Sequence, residues 1–143
     1  METVFLAANL CVLPFWFLMI ALPHWGPTRR VISCLWPILL MPVLYIGLMI
    51  PKTFEVLPLL VQIPSARAMA QLLGTVGGVT IGWVHFLALD LFAGRWAYLD
   101  SRERGFSAWW VSPVLVLMMA AGPLGLLLYV SVRWWKLRAP GRK

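Results

Sequence analysis

Residues 74–96 read GTVGGVTIGWVHFLALDLFAGRW. Between Thr75 and Arg95 the ionisable side chains are His85 and Asp90 alone. The apolar run reaches back to residue 66 and forward to residue 93. A helix of about 20 residues crosses the roughly 30 Å hydrocarbon core of a bilayer, so this segment is long enough to span. Its first turns carry Arg67 and Gln71 and read as interfacial. Gly74, Gly78 and Gly82 recur every fourth residue. A row of small residues at that spacing lets another helix approach closely, so it marks the packed face.

At about 100° per residue, His85 lies about 60° to one side of Gly82 and Asp90 about 80° to the other. The two are about 140° and about 7.5 Å apart along the axis. That is too splayed for a direct hydrogen bond, but both border the packed face. A carboxylate within a span costs about 2.5–3.5 kcal/mol on insertion scales. Such a residue is either locked by a polar partner, here Arg95 or Asn9, or is an acid, base or ligand contact. Asp90 and His85 are therefore the candidate catalytic residues.

The remaining segments follow the same pattern. Apolar runs over 3–22, 31–50 and 108–132 complete a set of four. The predicted fold is an all-α integral membrane protein, a four-transmembrane-helix bundle, in a single domain covering residues 1–143. Pro51-Lys52 is expected to end the second span, and 52–65, with Glu55, Pro58, Gln62 and Pro64, reads as a loop with an interfacial turn. Residues 94–107 hold Arg95, Asp100, Arg102, Glu103 and Arg104 and read as wet. A basic tail occupies 133–143, where Trp134, Trp135 and the cations form an interface belt. A β-barrel needs alternating segments of about ten residues, and these runs are continuous and longer. Pro14, Pro37, Pro42, Pro113 and Pro123 fall inside spans, and Gly122-Pro123 reads as a mid-helix kink.

Composition agrees. Of 143 residues, 62% are hydrophobic and 12% charged, against about 25% charged in soluble domains. The net charge of +7 comes from cations at the ends of apolar runs. They suit anionic lipid headgroups, and they form no basic face of the kind that binds nucleic acid. Four spans would put both termini on one side, with Arg133 among seven cations there and Arg104 among five opposite. The positive-inside rule then favours cytoplasmic termini. The start, Met1-Glu2-Thr3, lacks the basic region of a signal peptide, so the first helix is expected to be retained.

Several chemistries are excluded. Cys11 and Cys34 sit within apolar runs without paired spacing, giving neither disulfide framework nor zinc motif. Two histidines cannot build a histidine-rich di-iron oxygenase. No dinucleotide, phosphate-loop or haem motif is present. The expectation is a site with no metal and no cofactor. The protein's partners are membrane lipid and, through the glycine row, a second copy or a larger membrane enzyme.

Three stretches carry a resemblance. Residues 9–16 read NLCVLPFW, residues 82–96 read GWVHFLALDLFAGRW and residues 122–129 read GPLGLLLY. Together they resemble the abscisic-acid-deficient-4-like membrane family, over most of the chain except 51–75. The resemblance implies carotenoid or isoprenoid metabolism with a hydrophobic polyene or isoprenoid ligand. Plant members are linked to neoxanthin synthesis, opening the epoxide of violaxanthin to an allenic alcohol. That is an isomerisation, and it needs one acid and one base. Asn9, Trp83, Arg95 and Trp96, which lie in the resembling stretches, are candidate substrate-binding residues. A chain without an organelle import leader is expected in a bacterial inner membrane. Two other readings stand beside the isomerase. One is a non-catalytic carotenoid- or lipid-binding protein or enzyme subunit, and the other is a small transporter.

Overall fold

A computed structural model describes residues 1–61 and 65–138. All regular structure among them is helical: α1 (Glu2–Ala21), α2 (Gly26–Ser33), α3 (Trp36–Met49), a 3-10 turn (Ile50–Lys52), α4 (Thr53–Val61), α5 (Ala66–Leu73), α6 (Val76–Glu103), α7 (Ala108–Ala120) and α8 (Gly122–Arg138). Three apolar helical stretches are long enough to cross a membrane, namely Glu2–Ala21, Trp36–Pro58 and Val76–Glu103. The chain divides into two compact units. The first holds Met1–Val12 and Trp36–Ala88, the second Leu13–Leu35 and Leu89–Lys143.

The second, third and fourth predicted spans are all revised. Helix α2 begins before residue 31, and the chain breaks at Cys34–Leu35 before α3. Pro51 does not stop the second span, because it falls in the 3-10 turn, where a missing N–H costs little. The apolar helical stretch continues to Pro58, so most of the predicted loop over 52–65 is helix. Glu55 there pairs with Lys52 at 2.8 Å. Gln62 and Pro64 lie outside the described residues, as do Arg142 and Lys143 of the basic tail. The predicted third span over 66–93 is also two helices, because α5 ends at Leu73 and α6 starts at Val76, passes residue 93 and runs to Glu103. At about 1.5 Å per residue, the 28 residues of α6 reach about 42 Å, beyond the roughly 30 Å apolar core. Its charged end can therefore be helical and wet at once. Gly105, at φ 65°, then ends it. The Phe106 N–H donates to the Ser101 carbonyl and the Gly105 N–H to that of Arg102, the bond pattern of a Schellman cap.

The last revision concerns the predicted fourth span over 108–132. It is two helices, α7 of 13 residues and α8 of 17. Ala121, at φ −150° and ψ 78°, leaves the helix between them. Gly122-Pro123 is therefore no mid-helix kink. It opens α8, where a proline's missing N–H falls among donors that have no intrahelical partner. The Leu124 and Gly125 N–H groups return to the Ala121 carbonyl at 3.0 Å.

In the second unit, α7 and α8 run antiparallel. Gly125 backs onto the Met118 backbone. The Tyr129 ring stacks on Trp110 at 6.1 Å. The Lys136 ammonium lies over Trp110 at 4.5 Å and over Phe106 at 5.5 Å. As position numbers rise along α8, those of the partners fall. The buried positions fit this pairing. Val111, Val114, Leu115 and Met118 form one stripe on α7, and Gly122, Gly125 and Tyr129 form one on α8. Both have helical spacing. In the same unit, Trp16 is 2% exposed and its six-membered ring fills the notch at Gly94.

In the first unit, α5 is capped by Ser65, whose side chain accepts from the Ala68 N–H. The chain turns at Gly74–Thr75, and Thr75 Oγ1 accepts from the Gly78 N–H at 3.0 Å. A methyl group at Gly78 would strike the Leu72 carbonyl. One at Gly82 would meet Leu73 Cδ2 at 3.2 Å, and one at Gly74 the Ala70 carbonyl oxygen at 2.9 Å. The neighbour of the glycine row is thus α5 of the same chain. Along α1, Leu6, Leu10, Leu13 and Phe17 form an exposed apolar stripe, suited to lipid.

Candidate functional site

Asp90 stands on α6 within a span and is half-buried. Its carboxylate lies against Gly122, the first residue of α8, so closely that any side chain at 122 would collide with it. A Cβ at position 122 is accommodated only if the Asp90 carboxylate moves aside. The ion pairs among the described residues are Lys52–Glu55, Arg104–Asp100 and Arg133–Asp100, and none of them holds Asp90.

The two polar partners named for Asp90 from sequence are occupied elsewhere. Arg95 Nε donates to the Ile32 carbonyl at 2.7 Å and Nη2 to that of Ser33 at 2.9 Å. The guanidinium thus caps the C-terminal end of α2, where free carbonyls and the helix dipole favour a cation. Asn9 Oδ1 accepts from Trp83 Nε1 at 3.0 Å, and Asn9 Nδ2 donates to the Phe5 carbonyl at 2.7 Å. The Phe5 and Trp83 rings lie 5.6 Å apart. Trp96 meets Tyr129 edge-on at 5.4 Å, with the Arg133 guanidinium 5.9 Å from its ring.

His85 belongs to the first unit, whereas Asp90 belongs to the second. His85 is exposed, with the Tyr45 ring at 5.3 Å and that of Phe86 at 6.1 Å. The first unit also holds an open, mainly apolar groove of about 380 Å³. It is lined by Glu2, Phe5, Gly74, Thr75, Val76, Val79 and Thr80. Among the described residues no group of three or more His, Cys, Asp or Glu side chains is placed to hold a metal ion.

The densest polar cluster was not singled out from sequence. Asp100, 9% exposed, accepts from Arg104 Nε at 2.7 Å, from the Tyr129 hydroxyl at 2.7 Å and from Arg133 Nε at 2.8 Å. Tyr129 is fully buried. Its partner is a charged acceptor, and hydrogen bonds of that kind contribute about 1.5–3 kcal/mol. The spacing of four between Asp100 and Arg104, and again between Tyr129 and Arg133, was visible in the sequence. Each pair alone reads as an ordinary helix-surface contact. What joins them is the reversal at Ala121, which carries Arg133 back to the carboxylate. The four-span reading had placed Arg104 and Arg133 at opposite faces, yet they share one acceptor.

A sequence model of the family described as ABA DEFICIENT 4-like matches residues 3–129, from the first turn of α1 to the buried tyrosine. The chloroplastic Protein ABA DEFICIENT 4 of Arabidopsis thaliana is 30% identical over 107 residues, covering 71% of this chain and 49% of that protein. The chain therefore spans about half the length of this curated relative. No solved structure matches. Asp90, Gly122, Asp100 and Tyr129 all fall inside the matched region, and with a match over most of its length the chain belongs to the ABA DEFICIENT 4-like family.

Proposed function

We propose that this protein acts in carotenoid or isoprenoid metabolism within the membrane, as an isomerase working by acid–base chemistry. Family membership supports the pathway, through the carotenoid role that the resemblance implies. The observation that carries the chemistry is Asp90, a carboxyl inside a spanning helix that joins none of the ion pairs among the described residues. A side chain that costly to insert calls for a role, and a carboxyl free of a cation can exchange a proton.

For an epoxide-bearing polyene the balance is simple. One proton goes to the epoxide oxygen as its C–O bond opens. One proton leaves the carbon next to the ring, and its C–H electrons form the new double bond. The formula is unchanged and no oxidant is used. Asp90 is assigned one of these transfers. His85 is the second candidate, tested separately. Asn9, Trp83, Arg95 and Trp96 stand as candidate substrate-binding positions.

The test is pigment analysis in a host that makes epoxy-carotenoids, with wild-type, Asp90→Asn and His85→Gln chains expressed to equal folded yield. A new isomer with the wild-type chain that disappears with Asp90→Asn supports the assignment. Undiminished product with well-folded Asp90→Asn removes Asp90 from the chemistry. The groove beside Phe5 favours a second reading, a binding protein without turnover. Bound polyene with no new product in any strain would select it.

A further inference from the structure

The net charge of +7 is confined to one of the two units. The first unit holds Lys52 and Arg67 against Glu2 and Glu55, which cancel. The second holds the other ten Lys and Arg against Asp90, Asp100 and Glu103, leaving seven. Within that unit, bonds draw separate chain segments to a single polar end. Tyr98 donates its hydroxyl to the Pro23 carbonyl at 2.9 Å, just past the end of α1. Arg102 Nη1 lies 3.3 Å from His24 Nδ1. Arg104 and Arg133 meet on Asp100.

Helices α7 and α8 start and finish at that end. At about 1.5 Å per residue, the 13 residues of α7 reach about 20 Å, short of the roughly 30 Å core. A second measure agrees. Asp90, which touches the turn between the two helices, lies 13 residues before Glu103, again about 20 Å along α6. The turn therefore stops partway through. Irregular backbone at that depth is tolerated only where protein covers it, and Gly122 is buried.

We propose that α7 and α8 form a re-entrant hairpin, entering and leaving the membrane through one face, and that the cations gathered on this face bind anionic phospholipid headgroups. Arg29 and Arg30 are exposed on amphipathic α2. Arg138 is exposed at the end of α8, beside Trp134 at 4.2 Å. With Arg102, Arg104, Arg133 and Lys136 they make seven cations, against Asp100 and Glu103. Headgroup phosphates complement that excess, and each cation near such a surface contributes about 1 kcal/mol. Exposed Trp109, Trp134 and Trp135 supply the matching aromatic belt. None of this depends on the reaction proposed above.

Two measurements on the full chain test it. The first uses single cysteines at Glu103 and Arg138 in a chain whose Cys11 and Cys34 are replaced by serine. They are labelled with a membrane-impermeant maleimide in right-side-out and inverted vesicles. Glu103→Cys and Arg138→Cys should react from the same side. Reaction of Arg138→Cys from the side opposite Glu103→Cys means that 108–138 crosses, and overturns the hairpin. The second uses liposomes of phosphatidylglycerol and phosphatidylcholine, with one lipid brominated at a time to quench tryptophan. The wild-type chain should prefer phosphatidylglycerol. Each of Arg29→Gln, Arg30→Gln and Arg138→Gln should lower that preference by up to about five-fold, the equivalent of about 1 kcal/mol. Equal quenching by both lipids, or a preference unchanged by all three replacements together, overturns the headgroup site.

Discussion

The Tyr129 hydroxyl donates to Asp100 Oδ2 at 2.7 Å across 29 positions of sequence. Arg133 donates to the same oxygen at 2.8 Å. One carboxylate thus holds the returning helix α8 against the end of α6. Asp100→Asn removes the charge and leaves two guanidiniums facing a neutral amide. Breaking a buried pair costs about 3–5 kcal/mol, discounted here because the Arg133 and Arg104 side chains are 28% and 35% exposed. Thermal unfolding in detergent should rank Asp100→Asn as more harmful than Tyr129→Phe, which removes one donor and should cost about 1.5–3 kcal/mol. Wild-type stability in both variants would mean that α8 does not return to this carboxylate.

Gly122→Ala tests the seat of Asp90. Forcing a methyl group into a filled site costs about 1–3 kcal/mol. The double variant Asp90→Ala/Gly122→Ala removes the obstructing oxygen and should recover most of that loss. Purely additive effects on melting temperature would show that the two residues do not touch.

The glycine row should not respond uniformly. At Gly78 the obstacle is the Leu72 carbonyl, which is backbone and cannot swing away. At Gly82 it is Leu73 Cδ2, the end of a flexible side chain. Gly78→Ala should therefore reduce folded yield strongly, while Gly82→Ala stays near wild type. A Gly82→Ala protein damaged as much as Gly78→Ala would point to a second helix against the row.

For the proposed reaction, loss of a general acid or base typically costs about 10²- to 10⁴-fold in rate. Asp90→Asn should fall by that amount with unfolding temperature little changed, because no ion pair is lost. His85→Gln tests the other candidate by the same ratio of turnover to folded protein. If both turn over substrate normally, neither moves a proton.

Much of the helical content was legible because apolar runs of about 20 residues have few alternatives in a chain this poor in charge. The extent of α6 was misjudged because Asp100, Arg102 and Glu103 look like a loop when only hydropathy is weighed. A helix longer than the bilayer is thick carries such residues without ending. The reversal at Ala121 was hidden for the opposite reason. Hydrophobicity continues evenly through it, and Gly-Pro reads equally as a kink or as a first helical turn. Asp90 and His85 stood out by polarity alone. Asp100 did not, because its importance comes from Tyr129 and Arg133, which only tertiary folding brings near.

The two bonds from Arg95 to the Ile32 and Ser33 carbonyls have a further effect, on rotation. A smooth apolar helix in lipid meets little resistance to turning about its own axis. Arg95 anchors α6 to the end of α2, five residues beyond Asp90. A slip of one residue would swing Asp90 about 100° around the axis, away from Gly122. The guanidinium therefore acts as a key that sets the azimuth of the carboxylate. A chain carrying Arg95→Leu could keep its helices and lose the direction in which Asp90 points.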